Sequence, residues 1–159
     1  MIPGAGGLGY HKRYMDPIIQ GKWVEGMRVR MVHPTGDSLL TDGPVEYGGG
    51  AGFSPTDLLA GALGACALSV AVMVGERLGC TMAGSHMEAT RKLASQPVRI
   101  SEIAVVLHLP NVAEEQRARI QEAARRCPVR ESLHPDIAVQ LDFRYDVRLA
   151  ALTVATPVG

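Results

Sequence analysis

An uncharged run from Leu58 to Gly75 constrains the fold of this chain more than any other feature of the sequence. Its eighteen residues meet the length criterion for a membrane-spanning helix. However, the run is rich in Ala and Gly rather than in Leu, Ile and Phe, and no basic cluster flanks one of its ends. A helix that is apolar all round is also typical of the centre of a folded domain. We therefore predict a central core helix and no membrane span.

The residues around this run indicate where the helix begins and ends. Ser54 suits the N-cap, Pro55 suits the first helical position, and Asp57 is favourable in the first turn. Gly79 is typical of a C-terminal stop. A helix of about 25 residues is long for a domain of this size, and one small sheet covers only one of its faces. A second subunit is the simplest cover for the other face, so we expect a homodimer with the long helices near its centre.

Alternation of apolar and polar residues predicts strands on both sides of this helix. A turn signal at residues 33–37 separates the first two strands, and Asn111 is a candidate cap for a second helix. The predicted elements are strands at 22–32 and 38–41, the central helix, strands at 82–93 and 98–109, a helix at 112–126 and a strand at 137–149. This order predicts an α+β fold with largely antiparallel sheets.

Glycine-rich stretches in the first third of the chain do not predict a nucleotide site. Gly4, Gly6 and Gly9 match G-x-G-x-x-G, but that fingerprint needs a strand before it and a helix after it. Residues 47–52 lack the Lys-Ser/Thr pair of a phosphate loop, so we assign them to backbone turning. We predict an irregular arm over residues 1–20 and a single domain over residues 21–159.

Charge and cysteine content narrow the functional classes. Sixteen basic residues balance sixteen acidic ones, which favours neither nucleic acid nor an anionic membrane as a partner. Three cysteines are too few for a disulfide scaffold, and the N-terminus lacks the pattern of a signal peptide, so we expect a cytoplasmic protein. No metal or other cofactor is expected, since none of the histidines has metal-site spacing: His11, His33, His86, His108 and His134.

Two cysteines are candidates for redox chemistry, provided that the fold joins them. Cys66 lies inside the apolar run, where burial raises a thiol pKa unless another group activates the side chain. Cys127 follows Arg125 and Arg126, whose positive field favours a thiolate. From the residues alone, two inert buried thiols remain the alternative. Cys80 is interpreted as structural on the same grounds.

Stretches in and around the predicted helices carry a family resemblance. They are Ser54-Pro55-Thr56-Asp57-Leu58-Leu59, Ala62-Leu63-Gly64-Ala65-Cys66, Gly75-Glu76-Arg77-Leu78-Gly79, Cys127-Pro128-Val129 with Ser132-Leu133, and Thr41-Asp42-Gly43-Pro44 with Gly48-Gly49-Gly50. Together they resemble the OsmC/Ohr family, which includes organic hydroperoxide reductases. The resemblance extends over residues 22–148 and adds to the prediction of an OsmC-like α+β fold.

The resemblance implies a specific chemistry. It implies an intertwined homodimer in which each active site uses residues of both subunits. Cys66 would attack the peroxide and become a sulfenic acid, and Cys127 would resolve it as a disulfide that an external dithiol then reduces. The apolar surroundings of Cys66 suit an organic, lipid-like hydroperoxide. The expected partners are therefore a second copy of the chain, an apolar hydroperoxide and a dithiol reductant, as in an oxidative stress response.

The sequence departs from the family's peroxidases around the reactive cysteine. Those proteins carry a glutamate directly after the proline of the helix start, where this chain has Thr56 and then Asp57. They also use an arginine that reaches the cysteine, and the candidates here are Arg28, Arg30 and Arg130. Two alternatives to peroxidase activity therefore stay open: a dimeric protein that binds an apolar ligand without catalysis, and a thiol redox sensor.

Overall fold

The structure, a computed structural model, describes residues 16–145 of the chain. The chain divides into two compact units, residues 1–55 and residues 56–159. Most of the predicted arm over residues 1–20 lies outside the described residues, and the first strand begins at Gln20. The division into an arm and a single domain stays a prediction.

The N-terminal unit contains a three-stranded antiparallel sheet in the order β1-β2-β3. Its strands are β1 (Gln20–Glu25), β2 (Arg28–Val32) and β3 (Ser38–Thr41). The single strand predicted at 22–32 was wrong, because Gly26, at φ 50°, turns the chain between β1 and β2. The predicted turn at 33–37 and the returning strand at 38–41 are confirmed.

A buried carboxylate organises the loop that follows β3. Asp42 Oδ2 accepts hydrogen bonds from the backbone N–H groups of Gly49 and Ala51, at 3.0 and 3.1 Å. The Arg28 Nε donates to the same oxygen at 3.1 Å. The Ala51 amide, followed by the Arg28 and Gly43 donors, holds the pKa of Asp42 below its ordinary value. The glycines of this loop therefore serve backbone turning around a carboxylate, as predicted.

The long central helix α1 spans Pro55–Arg77, and Gly79 follows it at φ 81°. Its start at Pro55 and its end before Gly79 are confirmed. The helix is long and apolar enough to cross a membrane by length and composition, a test that the core helix of a domain also passes. One face is buried along its whole length, through Ala60, Leu63, Gly64, Ala67, Ala71 and Gly75. Leu59 and Met73 leave an apolar stripe exposed on another face.

The second sheet, in the C-terminal unit, has the order β4-β5-β6. Its strands are β4 (His86–Ser95), β5 (Val98–His108) and β6 (Ala138–Arg144). β4 and β5 pair antiparallel, whereas β5 and β6 pair parallel. Three of the four strand pairs in the described residues are antiparallel, which confirms the largely antiparallel pairing expected. The pair of β5 and β6 is parallel because two helices carry the chain back along the sheet between them. The predicted end of the last strand, residues 146–149, lies outside the described residues.

The crossover consists of α2 (Glu114–Arg125) and the short helix α3 (Pro128–Ser132). The prediction that Asn111 caps α2 was wrong, because its side chain donates to the Ala83 carbonyl at 2.7 Å and Ala113 occupies the N-cap. The core of this unit lies between α1, α2 and the inner face of the sheet. Its largest fully buried residues are Leu63, Ile103, Leu107, Leu109 and Ile120.

Candidate functional site

Two thiols from different elements meet in the C-terminal unit. Cys66 lies in the middle of α1, and Cys127 lies between α2 and α3. The Cys66 thiol is a hydrogen-bonding neighbour of Cys127, and both cysteines are free. The fold therefore places a half-buried thiol against a fully buried one. The order of burial is the reverse of what their sequence contexts suggested, since Cys127 is the more deeply buried of the two.

Burial dominates the electrostatics of Cys127. It raises the pKa of the thiol above its ordinary value of 9.0, and the Cys66 side chain adds to that increase. The backbone amides of Arg130 and Val129, in the first turn of α3, act in the opposite direction. The expectation that neighbouring arginines favour a thiolate at Cys127 was wrong. The guanidinium carbon of Arg125 lies 4.9 Å from the centroid of the Phe143 ring.

Cys66 borders the exposed apolar stripe of α1. Ala62, Ala65 and Ser69 are spaced at three and four residues from one another, so they share one side of the helix, and the same spacing connects Ser69 to Met73. All four are exposed. Cys66 thus has the second thiol on its inner side and an open apolar surface on its outer side, where a hydrophobic molecule or a second subunit can approach.

Asp57 does not lie beside Cys66 within one chain. It pairs with Arg91 on β4, with Nη2 and Oδ1 3.0 Å apart. Nine residues separate Asp57 from Cys66, which places them on opposite sides of α1 and about 13 Å apart along its axis. Sequence reasoning missed Arg91. Alternation along β4 places Arg91 on the same face as Met87 and Ala89, which is the inner, apolar face of the strand. A charged residue on an apolar face was the signal that could have identified it.

The other arginines proposed for activation have different surroundings. Arg28 belongs to the N-terminal unit, where its guanidinium contacts Glu25 at 2.6 Å and Asp42 at 3.1 Å, and both carboxylates raise its pKa. Arg30 is exposed on β2. Arg130 lies on α3, and its main chain faces Cys127. The catalytic roles of Cys66, Cys127, Arg28, Arg30 and Asp57 stay predictions.

Cys80 lies away from the thiol pair. Its N–H donates to the Gly75 carbonyl at 2.9 Å, just beyond the end of α1. Two histidines, His86 and His108, stack with their ring centroids 4.3 Å apart on the outer face of the second sheet. Across residues 16–145, no cluster of three or more His, Cys, Asp or Glu side chains is arranged to hold a metal ion.

A groove lies between α1 and α2. Its volume is about 510 Å³. It is lined by Val74 of α1 and by Arg119, Glu122, Ala123 and Arg126 of α2. A second groove, of about 540 Å³, includes Cys80 from beyond α1 and Gln116 from the start of α2. Because later residues of α1 face earlier residues of α2, the two helices run antiparallel.

Comparisons with known proteins assign the fold. The family model described as OsmC-like protein matches residues 48–142. The structure is similar to that of a Psychrobacter arcticus protein assigned to the osmotic stress-induced and detoxification response, with 28% identity and a TM-score of 0.77, over 84% of this chain and 99% of that one. No curated protein sequence matches this chain.

Two further similar structures are organic hydroperoxide resistance proteins. The Legionella pneumophila protein OsmC is 19% identical, with a TM-score of 0.69 over 84% of this chain and 99% of that one. The Bacillus subtilis protein OhrB is 17% identical, with a TM-score of 0.61 over 82% of this chain and 98% of that one. At these identities the likeness shows the fold, which confirms the α+β, OsmC-like class expected from the sequence.

Proposed function

This chain belongs to the OsmC-like protein family, and from that membership we propose that it is a thiol-dependent peroxidase that reduces organic, lipid-like hydroperoxides. The observation that carries the proposal is the contact between the Cys66 and Cys127 thiols across two helices. A peroxidatic thiol needs a resolving thiol within reach, because a sulfenic acid left alone is oxidised further. The names of the Legionella and Bacillus proteins add support for an organic hydroperoxide as the substrate.

In the proposed cycle, the Cys66 thiolate attacks the terminal oxygen of the hydroperoxide. The O–O bond breaks, Cys66 becomes a sulfenic acid, and the alkoxide takes up a proton and leaves as an alcohol. The Cys127 sulfur then attacks the Cys66 sulfur, which forms the disulfide and releases water. An external dithiol returns both cysteines to thiols and is itself oxidised to a disulfide, so no metal or organic cofactor takes part.

The exposure of Cys66 and the burial of Cys127 suit this division of roles. Cys66 is open on the side of the apolar stripe, from which an alkyl hydroperoxide approaches. Cys127 is fully buried, and its raised pKa keeps it a neutral thiol while Cys66 reacts. The group that activates Cys66 is proposed to be one of Arg28, Arg30 or Arg130.

We propose that the working form is a homodimer in the cytoplasm. Leu59 and Met73 on α1 are 38% and 41% exposed, which is an apolar surface that a second copy would cover. Three free cysteines suit a reducing compartment. Light scattering after gel filtration tests the dimer: Met73→Glu should yield monomer, and Thr90→Glu, an exposed change on β4, should not. A monomeric wild type would contradict the dimer.

The peroxidase activity is tested by the consumption of cumene hydroperoxide with dithiothreitol as reductant. Wild type should turn over many times, and Cys66→Ser should consume none. Cys127→Ser should lose activity within a few turnovers, because its sulfenic acid is not resolved inside the protein. Cys80→Ser is the matched control and should retain the wild-type rate. Equal rates for wild type and Cys66→Ser would overturn the proposal.

A second candidate, an apolar-ligand binder without catalysis, is favoured by Thr56. This residue stands where the family's peroxidases have a glutamate, and Asp57 beside it pairs with Arg91 rather than lying near Cys66 of the same chain. Native mass spectrometry distinguishes the candidates. A tightly retained apolar molecule without peroxidase activity would favour the binder, and stoichiometric oxidation without turnover would favour a redox sensor.

A further inference from the structure

One polar side chain lies in the exposed apolar stripe beside Cys66. The positions three and four residues before and after this cysteine share its side of α1, and they hold Ala62, Leu63, Ser69 and Val70. Ser69 is the only one of these four whose side chain donates a hydrogen bond. It is exposed, whereas Leu63 is fully buried. A hydroperoxide that approaches Cys66 from the open side therefore meets one hydroxyl on an otherwise apolar helix surface.

The Ser69 hydroxyl is available to a molecule bound at Cys66. Helical side chains tilt toward the N-terminus of their helix, so Ser69 leans over the turn that contains Cys66. The Cβ atoms of two residues at this spacing lie about 5–6 Å apart. A helical serine often donates to a carbonyl three or four residues earlier, but Ser69 makes no side-chain hydrogen bond within residues 16–145. Its hydrogen can therefore serve an acceptor outside the chain.

The distances of the proposed reaction match this position of the hydroxyl. In a near-attack arrangement, the Cys66 sulfur lies about 3–3.5 Å from the terminal oxygen of the hydroperoxide. The second oxygen lies one bond further out, and it becomes the leaving alkoxide when the O–O bond breaks. That oxygen is then roughly 4.5–5 Å from the sulfur, within the span that separates Cys66 from Ser69.

We propose that Ser69 is a catalytic residue that donates a hydrogen bond to the leaving oxygen of the hydroperoxide. The Cys66 sulfur bonds to the terminal oxygen as the O–O bond breaks, and negative charge moves from the sulfur to the leaving oxygen. Ser69 stabilises that charge, and a proton from solvent then converts the alkoxide to an alcohol. Because the charge on this oxygen develops in the transition state, the contact accelerates the reaction more than it strengthens substrate binding. The inference rests on the peroxidase activity proposed above.

This role differs from activation of the Cys66 thiol. An arginine beside the sulfur would act before the attack, whereas Ser69 acts on the bond that breaks. The neighbours of Ser69 on this side, Ala62, Ala65 and Met73, are apolar, so a substrate that covers them excludes water from the hydroxyl. A hydrogen bond to a charged oxygen is stronger in such surroundings than in water. The contribution of Ser69 should therefore increase with the basicity of the leaving oxygen.

The test compares two oxidants whose leaving groups differ in basicity. Cumene hydroperoxide releases a strongly basic alkoxide, whereas perbenzoic acid releases a weakly basic carboxylate that needs little stabilisation. For each oxidant, rapid quenching and mass spectrometry measure the rate constant for oxidation of Cys66 in the reduced protein. Ser69→Ala should slow oxidation by cumene hydroperoxide roughly ten- to hundredfold, and oxidation by perbenzoic acid by less than about threefold.

Two controls separate this contact from a structural effect. Ser69→Thr keeps the hydroxyl and should restore most of the rate with cumene hydroperoxide. Alkylation of Cys66 by iodoacetamide has no leaving oxygen, so its rate should be the same in wild type and Ser69→Ala. The alanine variant should fold normally, because the position is exposed and alanine is the strongest helix former.

The outcomes also separate this inference from the peroxidase proposal. Suppose that wild type turns over, and that Ser69→Ala slows both oxidants alike or slows neither. That result rejects the role of Ser69 and leaves the peroxidase proposal standing. Slower alkylation of Ser69→Ala would assign the hydroxyl to the thiolate and would also reject the inference. If cumene hydroperoxide does not oxidise Cys66 in wild type, both proposals are rejected.

Discussion

The thiol of Cys66, in the middle of α1, lies against the thiol of Cys127, which immediately precedes α3. No large rearrangement is needed for these two sulfurs to react, because each is already the other's neighbour in the reduced protein. Two cysteines that are distant in sequence are therefore adjacent in the fold, and the remaining chemical question is which of the two thiols is oxidised first.

One equivalent of cumene hydroperoxide should convert the reduced protein to a single internal disulfide between Cys66 and Cys127. Peptide mapping by mass spectrometry without reduction should find these two cysteines linked and Cys80 free. The same product should form in Cys80→Ser. A disulfide that includes Cys80, or a sulfinic acid at Cys66 in wild type, would contradict the assignment of Cys127 as the resolving thiol.

The free energy of unfolding should fall at alkaline pH through Cys127. Burial raises the pKa of this thiol above its ordinary value of 9.0, so the unfolded chain releases the proton at a lower pH than the folded protein does. The stabilisation is complete at a pH below the pKa of Cys127 in the unfolded chain, and it is lost as the pH rises through the higher pKa in the folded protein. The free energy of unfolding should fall by no more than about 1.4 kcal/mol per pH unit. Urea denaturation of wild type and Cys127→Ala should show this slope only in wild type. Cys80→Ala is the control and should keep it.

The free energy of unfolding should also fall at acid pH, through Asp42 in the N-terminal unit. The Ala51 amide and the Arg28 guanidinium hold its pKa below the ordinary value of 3.8. The carboxylate therefore stabilises the fold at a pH above the pKa of Asp42 in the unfolded chain. This stabilisation is lost as the pH falls through the lower pKa of Asp42 in the folded protein. Asp42→Asn should lower the melting temperature at neutral pH and flatten the acid dependence. Asp16→Asn, at an exposed position before β1, should leave both unchanged. An Asp42→Asn variant as stable as wild type at neutral pH would contradict the role of the carboxylate.

Two glycines of α1 should respond differently to alanine. A Cβ at Gly61 meets no atom within 4 Å, so Gly61→Ala should stabilise the helix by up to about 1 kcal/mol. At Gly64 a Cβ would lie 2.7 Å from the Met87 Sδ and 3.5 Å from the Ala89 Cβ, so the same change should be less favourable. Chemical denaturation of both variants measures the difference. A loss of stability for Gly61→Ala would instead indicate that another surface closes on that face of α1 in solution.

Local patterns predicted the parts of the fold that depend on neighbouring residues. Ser54-Pro55 and Gly79 located the ends of α1, and the alternation of Ile103, Val105 and Leu107 located β5. The turn at Gly26 was missed because the apolar alternation continues across it. Such a pattern indicates which side chains point inward, but it does not indicate where the chain reverses direction.

Features that depend on distant residues could not be read from the sequence. The parallel pairing of β6, the burial of Cys127 and the use of Asn111 to bond Ala83 all follow from how the elements pack. The same holds for the ion pair between Asp57 and Arg91, which joins α1 to β4. At the candidate site, the sequence identified both cysteines, and the packing determined which of them is the more accessible.

The crossover between β5 and β6 has a consequence for when the chain acquires its redox pair. Cys127 lies on that connection, and we expect its position beside Cys66 to be fixed once β6 has docked in parallel against β5. During synthesis on the ribosome, a chain that ends before Ala138 contains all three cysteines but has no strand to close the crossover. The neighbouring thiols are therefore a property of the finished fold, and premature oxidation of a growing chain would have to join cysteines that are not yet adjacent.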